Sequence, residues 1–286
     1  MSDKTMITVR VRRFNPDVDD KPYYQNYPLE LTPDKTVLDA LEEIKAEQDG
    51  SLTFRRSCRH AICGSCAMMV NRSNTLVCTK PLISVVNDGG FFSKKNTVLI
   101  EPLPYLPIIK DLVVDRSIFW EHYQQVKPWL IAPEQLPEKE FRMSQAEVDA
   151  LELAETCIMC GACYSSCPIV AGTKEYLGPH ALLKAFLRIM DPRDQSPNER
   201  LDMVATEKGA FRCRKATNCI DACPKGLNPA RAISNLAKAS LQSGRLTADR
   251  AERLKTLIAE MDDSAQNIDK MGTRPQISVN AISIQE

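Results

Sequence analysis

The fold of this chain follows from one stretch, residues 157–168, which reads CIMCGACYSSCP. Its cysteines have the spacing C-x2-C-x2-C-x3-C and are followed by a proline; they are Cys157, Cys160, Cys163, Cys167 and Pro168. In this spacing three thiolates hold one iron–sulfur cluster, and the fourth ligates a second cluster. The stretch therefore predicts a domain built around two clusters, and it requires a second cysteine group elsewhere in the chain.

The second cysteine group comprises Cys213, Cys219 and Cys223, the last of which is followed by proline. On the template of the first group its positions are 213, 216, 219 and 223, and position 216 is Ala216. Because the last cysteine of each group crosses to the other cluster, one cluster receives four thiolates and the other receives three. The larger set predicts 4Fe–4S, and the smaller set, with alanine at the vacant corner, predicts 3Fe–4S. The 4Fe–4S set is Cys157, Cys160, Cys163 and Cys223, and the 3Fe–4S set is Cys167, Cys213 and Cys219.

Structural zinc is the alternative interpretation of these cysteines, because thiolates bind zinc as well. Zinc ribbons usually pair two C-x2-C knuckles, and neither knuckle requires a proline after its last cysteine. The spacing therefore favours iron–sulfur clusters over zinc.

The overall composition favours a globular chain of two domains without a nucleic-acid or membrane role of its own. The length is 286 residues, and Lys plus Arg balance Asp plus Glu at 37 each, so no bulk charge indicates a polyanionic partner. No apolar run approaches the ~18–20 residues of a membrane helix. The first six residues, MSDKTM, resemble neither a signal peptide nor a transit sequence. We expect a soluble chain that stays where it is made, or one whose targeting segment has been removed.

The cysteine count argues against disulfides. The chain has eleven cysteines and no export signal, and thiols that stay in the cytosol are kept reduced. An odd number also cannot pair completely. The two groups above use seven, and the remaining four are Cys58, Cys63, Cys66 and Cys78.

These four cysteines have the spacing of a 2Fe–2S site, C-x4-C-x2-C with a distant fourth ligand. The short loop lets backbone N–H groups point at the sulfurs, and Gly64 permits a backbone geometry that a Cβ would resist. Residues 67–70 and 75–78 flank the turn 71–74, so Cys78 is expected on the return strand of a hairpin.

Polar side chains surround this loop. A Rieske site would need two histidines as ligands, and only His60 is near, so it is interpreted as a loop residue. Four arginines also lie close in sequence, and exposed charges are usual on a protein surface, which favours a solvated face. The alternative is that they partly compensate the negative charge of the cluster and raise its potential. These arginines are Arg55, Arg56, Arg59 and Arg72.

The hydrophobic pattern of the first part predicts a small mixed sheet packed on one helix. Residues 7–14 alternate apolar and polar, as in a half-buried strand, and a second strand is expected at 27–31. A capping box at Thr36 begins a helix over about 36–47. A last strand is expected at 97–102, before a proline-rich segment.

The second part of the chain reads as helical, with the cluster cysteines in loops between helices. A connector helix is expected at 117–127, and a capping box at Ser144 begins the helical domain. His180 is expected in the first turn of a helix rather than as a ligand. Further helices are expected at 180–190, 197–207 and 228–242, another begins at Thr247 and reaches about Met261, and the tail alternates apolar residues between 277 and 284.

With its three cysteine motifs in this order, the chain resembles the iron–sulfur subunits of succinate dehydrogenase and fumarate reductase, respiratory complex II, over about residues 5–242. The most specific matching stretches are SCR at 57–59 with AICGSC at 61–66, KDLVVD at 110–115 and CPKGLNP at 223–229. The resemblance implies an α+β chain: a β-grasp domain of the plant-type ferredoxin kind, followed by an all-α domain of the bacterial-ferredoxin kind.

The domain boundaries expected from this resemblance and from the motifs are as follows. Residues 1–105 form the β-grasp domain with 2Fe–2S, residues 106–143 a connector, residues 144–242 the helical domain with 4Fe–4S and 3Fe–4S, and residues 243–286 a C-terminal helix and tail without a family counterpart.

The resemblance also implies partners and a place in the cell. A flavoprotein subunit would hold FAD and interconvert succinate and fumarate, and a membrane anchor would bind quinone, with haem as an optional group. The chain itself would relay single electrons between flavin and quinone, without catalysis of its own. It would lie peripherally on the cytoplasmic or matrix face of the inner membrane, held by these subunits.

Three positions differ from ubiquinone-linked members of that family. Those members carry tryptophan five residues after the last cysteine of the first group, where this chain has Gly172. They carry histidine after the first cysteine of the second group, where it has Arg214, and their quinone-side lysine aligns with Ala237, beside Lys238. The differences favour menaquinone. The candidate quinone-side residues of this chain are Pro168, Arg214 and Lys238.

Two other classes of function stay open at this point. One is an electron-transfer adaptor of another flavin dehydrogenase, of the glycolate or heterodisulfide type, although such modules rarely join a plant-type domain to a second half that lacks one cysteine. The other is a non-redox protein with structural clusters, such as a nucleic-acid enzyme, which the balanced charge disfavours.

Overall fold

The computed structural model describes residues 5–87 and 96–242. Its first part contains a five-stranded sheet with the order β2-β1-β5-β3-β4. The first strand is antiparallel to the second and parallel to the fifth, so the sheet is mixed, as predicted. The strands are β1 Met6–Arg13, β2 Tyr23–Glu30, β3 Ala67–Val70, β4 Ser73–Leu76 and β5 Thr97–Glu101, and a separate two-stranded ribbon consists of β6 Ile108–Lys110 and β7 Val113–Val114.

The alternation predicted for the first strand is the reason why the sheet packs on a helix. Ile7, Val9 and Val11 are all buried on one face, because successive side chains of a strand point to opposite faces. The helix α1, Val37–Glu43, begins at the predicted capping box and continues as a π-helical segment, Ile44–Gln48. Its apolar face packs into the same core, and each fully buried Val or Leu side chain stabilises the fold by about 1.5–3 kcal/mol. The buried residues of α1 are Val37, Leu38, Ala40 and Leu41.

The second part is helical, and the predicted helices are present within a few residues of their expected ends. Short helices at the cysteine loops and a 3₁₀ turn, Ala210–Arg212, were not predicted. The helices after α1 are α2 Leu82–Asn87, α3 Ser117–Gln125, α4 Gln145–Glu155, α5 Pro168–Gly172, α6 Gly178–Ile189, α7 Pro197–Val204, α8 Asn218–Asp221 and α9 Pro229–Gln242. The predicted helix from Thr247 and the alternating tail lie outside the described residues.

One prediction about the hairpin was wrong. The strand β4 ends at Leu76, so Cys78 follows the return strand instead of lying on it. The turn contains two residues rather than four, because Asn71 and Arg72 both adopt positive φ, at 47° and 67°. Positive φ at both central positions is the requirement of a type I′ turn, and such a turn starts the return strand two residues early.

Two buried arginines fix the connector to the rest of the fold. Arg13 on β1 donates through Nε to Asp111 at 2.9 Å, which ties the connector to the sheet. Arg200 on α7 forms a fully buried ion pair with Asp194 and donates to the carbonyl oxygens of Lys127 and Trp129. Removing one partner of a buried pair leaves an uncompensated charge and costs about 3–5 kcal/mol. The connector is therefore held near its start, at Asp111, and in its middle, at residues 127–129.

Among the described helices, none is both long and apolar enough to span a bilayer.

Candidate iron–sulfur centres

The loop of the first cysteine motif surrounds its sulfurs with backbone N–H groups. The N–H groups of Ile62 and Cys63 lie 3.3 and 3.2 Å from the Cys58 sulfur, and that of Ala61 lies 3.3 Å from the Cys78 sulfur. The loop achieves this with positive φ at several positions, including 60° at Ala61. Such hydrogen bonds stabilise negative charge on cluster sulfurs and are one of the controls on redox potential.

The thiols of this loop differ in their surroundings. Backbone N–H groups, first that of His60 and then that of Cys63, lower the pKa of Cys58 to about 6. In contrast, burial raises the pKa of Cys66 to about 12. His60 itself is exposed, and its Nδ1 contacts the carbonyl oxygen of Cys58. The site therefore has one exposed and one buried side.

The structure brings the predicted four-thiol set together. Cys157, Cys160, Cys163 and Cys223 all line one cavity. Burial, followed by the neighbouring thiols, raises the pKa of Cys160 to about 11 and raises that of Cys163 strongly. A thiol that coordinates a metal loses its proton. These buried thiols do not ionise readily by themselves, so they suit a cavity in which a positively charged metal core compensates the thiolate charge.

The predicted three-thiol set lines a second cavity, together with Ala216. Its members are Cys167, Cys213 and Cys219. Cys167 is the N-cap of α5, and Pro168 occupies the first turn, where its missing N–H costs nothing; this explains the cysteine–proline pair. Burial, then the thiols of Cys213 and Cys167, raise the pKa of Cys219 to about 12.

Cysteine thiols line both cavities. Among residues 5–87 and 96–242, no group of three or more His, Cys, Asp or Glu side chains is placed to hold a single metal ion. The thiol donors fit polynuclear iron–sulfur cores, which are held by cysteine thiolates.

The three sites follow one another through the molecule. A Cβ built on Gly64 of the first loop would lie 2.9 Å from both Cα and Cβ of Cys160, so this loop touches the four-thiol loop. Asn74 of β4 strengthens this contact by donating to the carbonyl oxygen of Ala162 at 3.2 Å. The thiol of Cys163 is also near enough to Cys219 of the three-thiol set to interact with it electrostatically. The four-thiol site therefore neighbours both of the others, and we call it the middle site.

The predicted quinone-side residues are only partly brought together. Pro168 and Arg214 line the three-thiol cavity. Lys238 is not among the residues that line it, and α9 contributes Ala230 and Ile233 there instead.

Three residues near the thiols were not predicted. Tyr176 is almost completely buried and lines the three-thiol cavity. Burial lowers the pKa of Arg116, and the thiol of Cys160 opposes this shift only in part. Lys184 is also buried. None of these positions belongs to a ligand spacing, so the sequence carried no signal for them.

Two family models match the chain. A 2Fe-2S iron-sulfur cluster binding domain matches residues 8–121, and a 4Fe-4S dicluster domain matches residues 150–224. The first match contains the loop of Cys58 and Cys78, and the second contains both cysteine groups of the helical part.

The chain is similar to known iron–sulfur proteins over most of its length. It is 44% identical over 242 residues to the mitochondrial succinate dehydrogenase [ubiquinone] iron-sulfur subunit 1 of Oryza sativa subsp. japonica, which covers 82% of this chain and 83% of the relative. It is 42% identical over 235 residues to the succinate dehydrogenase iron-sulfur subunit of Paracoccus denitrificans, which covers 79% of this chain and 86% of the relative. A solved chain of the Mycobacterium smegmatis Sdh1 complex in the apo form superimposes with a TM-score of 0.76 at 25% identity, covering 86% of this chain and 99% of that chain.

Proposed function

This chain belongs to the family of succinate dehydrogenase iron–sulfur subunits, and we propose that it relays single electrons between a flavoprotein subunit and a membrane quinone. It acts as one subunit of an oxidoreductase complex and carries a 2Fe–2S domain and a 4Fe–4S dicluster domain. The proposal adds the third cluster, the order of the relay and its two end points.

The observation that carries the proposal is that the four-thiol site neighbours each of the other two thiol groups. The loop of Gly64 touches the loop of Cys160, and Cys163 interacts with Cys219. When bound, the clusters would act as one-electron carriers. The protein would contribute their ligands and their spacing, and the proposed order would connect the exposed loop at one end to the three-thiol cavity at the other.

The ligand sets of the proposal are those of the crossing pattern. The 2Fe–2S cluster would be held by Cys58, Cys63, Cys66 and Cys78, the 4Fe–4S cluster by Cys157, Cys160, Cys163 and Cys223, and the 3Fe–4S cluster by Cys167, Cys213 and Cys219. Ala216 lines the last cavity without offering a ligand, which supports a cluster with one iron fewer.

The two ends of the relay would meet different partners. The first loop is accessible, with Cys63 exposed and Ile62 57% exposed, which suits contact with the FAD-containing subunit. The other end contains Pro168 and Arg214, which would face the quinone and the membrane anchor. The chain would thus lie peripherally on the cytoplasmic or matrix face of the membrane.

The first test separates the relay from the catalytic reaction. The sequence contains no G-x-G-x-x-G fingerprint for a dinucleotide, so the reconstituted chain alone is expected to show no succinate-dependent cluster reduction. A chemical reductant should reduce the same sample, which controls for cluster loading. Addition of the flavoprotein subunit should make succinate an effective reductant. Succinate-driven reduction by the chain alone would contradict the proposed division of labour.

A further inference from the structure

A half-buried guanidinium group lies against the middle site. Arg116, which directly precedes α3, donates through Nη2 to the carbonyl oxygen of Met159, in the four-thiol loop. The same nitrogen lies 3.2 Å from where a Cβ on Gly161 would be. The side chain therefore reaches from the connector to the backbone between two of the proposed 4Fe–4S ligands.

Aromatic rings hold this guanidinium in place. Its central carbon lies 4.4 Å from the ring centroid of Phe119 and 5.3 Å from that of Trp120, which is a favourable cation–π arrangement. His180 stacks on Phe119 with the ring centroids 3.7 Å apart, and its Nε2 lies 2.8 Å from the Phe119 carbonyl oxygen. The guanidinium thus lies against a Phe119 ring that is itself held by His180.

No carboxylate neutralises Arg116 within the described part of the chain. The neighbouring Asp115 instead accepts hydrogen bonds from the backbone and hydroxyl of Ser117. The side chain is substantially withdrawn from solvent, and its Nε has no hydrogen-bond partner there. A guanidinium stays charged in proteins, and a buried charge is screened much less than an exposed one.

We propose that Arg116 raises the reduction potential of the 4Fe–4S cluster by stabilising its reduced state. This inference rests on the proposed ligand set of the middle site. A cluster with four thiolate ligands is negatively charged, and reduction adds one electron without adding a proton. A fixed positive charge nearby therefore stabilises the reduced form more than the oxidised form. Arg116 acts through space and is a tuning residue, not a ligand.

A second cation lies near the four-thiol site. Lys184 on α6 is buried, donates to the carbonyl oxygen of Ala154 at 3.2 Å and interacts with the thiol of Cys157. An ammonium group can lose its proton when buried, whereas a guanidinium cannot. Arg116 is therefore the cleaner position at which to test the effect of charge.

The test is a redox titration of the purified complex, followed by electron paramagnetic resonance. In Arg116→Met, the ratio of reduced to oxidised 4Fe–4S at a fixed ambient potential should fall about tenfold, a shift of about 59 mV to lower potential for a one-electron couple. The potentials of the other two clusters should move much less. In Arg116→Lys, which keeps the charge, the 4Fe–4S potential should stay closer to the wild-type value.

Arg55→Met is the matched control, because Arg55 is an exposed cation near Arg116 and water screens it. The 4Fe–4S potential should change little in this variant.

If Arg116→Met does not retain the cluster, Arg116→Gln replaces it in the comparison with Arg116→Lys. A lower 4Fe–4S potential in the neutral variant supports the inference, and equal potentials in the neutral and charged variants overturn it, as does an equal shift of all three clusters. A wild-type complex without a 4Fe–4S signal would instead refute the ligand sets of the proposed function, and this inference with them.

Discussion

Replacing Ala216 by cysteine is expected to convert the three-thiol site into a four-thiol site and to abolish the 3Fe–4S signal. Ala216 lines the cavity of Cys167, Cys213 and Cys219, at the template position where a fourth ligand would stand. A thiolate there can hold a fourth iron. The additional negative charge should lower the potential of this cluster, since cluster type and net charge are among its main controls.

The consequence should be confined to the quinone end of the relay. We expect the potential of this cluster to fall by about 59 mV or more, which reduces the equilibrium ratio of reduced to oxidised cluster about tenfold. Quinone reduction should therefore slow about tenfold or more, while reduction of the flavin by succinate should be nearly unchanged. Ala216→Ser is the matched control, because it has a similar volume but no thiolate. The oxidised wild type and the serine variant should show a 3Fe–4S signal that the cysteine variant lacks. An undiminished signal in Ala216→Cys would show that position 216 does not face the vacant corner.

The second large effect is expected at Gly64, where the first cluster loop touches the second. Its φ is +71°, and a Cβ would lie 2.9 Å from Cys160 Cα and 3.0 Å from the Ile158 carbonyl oxygen. These are backbone atoms, which no side-chain rotation can move away. Gly64→Ala should combine a left-handed backbone penalty of about 1–2 kcal/mol with an overpacking penalty of about 1–3 kcal/mol.

The control for Gly64→Ala is Gly226→Ala. Gly226 has a similar φ, +66°, but nothing lies within 4 Å of its Cβ position, so this variant carries only the backbone penalty. Thermal unfolding measures the difference, because 1 kcal/mol corresponds to about 2–4 °C in Tm for chains somewhat shorter than this one. Gly64→Ala should unfold several degrees below Gly226→Ala and should show slower reduction of the 4Fe–4S cluster. Equal Tm values and reduction rates would mean that the two loops are not in close contact.

The features that the sequence predicted well depend on local patterns. The alternation over residues 7–14 gives β1, because a strand turns its side chains to opposite faces. The capping boxes at Thr36 and Ser144 start α1 and α4, since each satisfies N–H groups within one turn. The fold class and the succinate dehydrogenase resemblance are confirmed by the relatives and the superimposed complex.

The features that the sequence could not predict depend on contacts between distant segments. Arg13 and Asp111 are 98 positions apart, and Arg116 meets Met159 across 43 positions; no periodicity connects such pairs. Gly64 was expected to permit an unusual backbone geometry in its own loop. Its close approach to Cys160 arises only when this loop packs against the four-thiol loop. The hairpin was misplaced for a different reason, because Asn71 and Arg72 form a two-residue turn that the longer polar run concealed.

The central claim is that this chain holds three iron–sulfur clusters in series, and its metal content tests that claim most directly. The ligand sets, with two, four and three irons, predict about nine irons per chain after anaerobic purification, and no zinc. Elemental analysis of the purified chain gives both numbers in one measurement. Iron near this value, without zinc, is the expected result. Stoichiometric zinc with little iron would contradict the account.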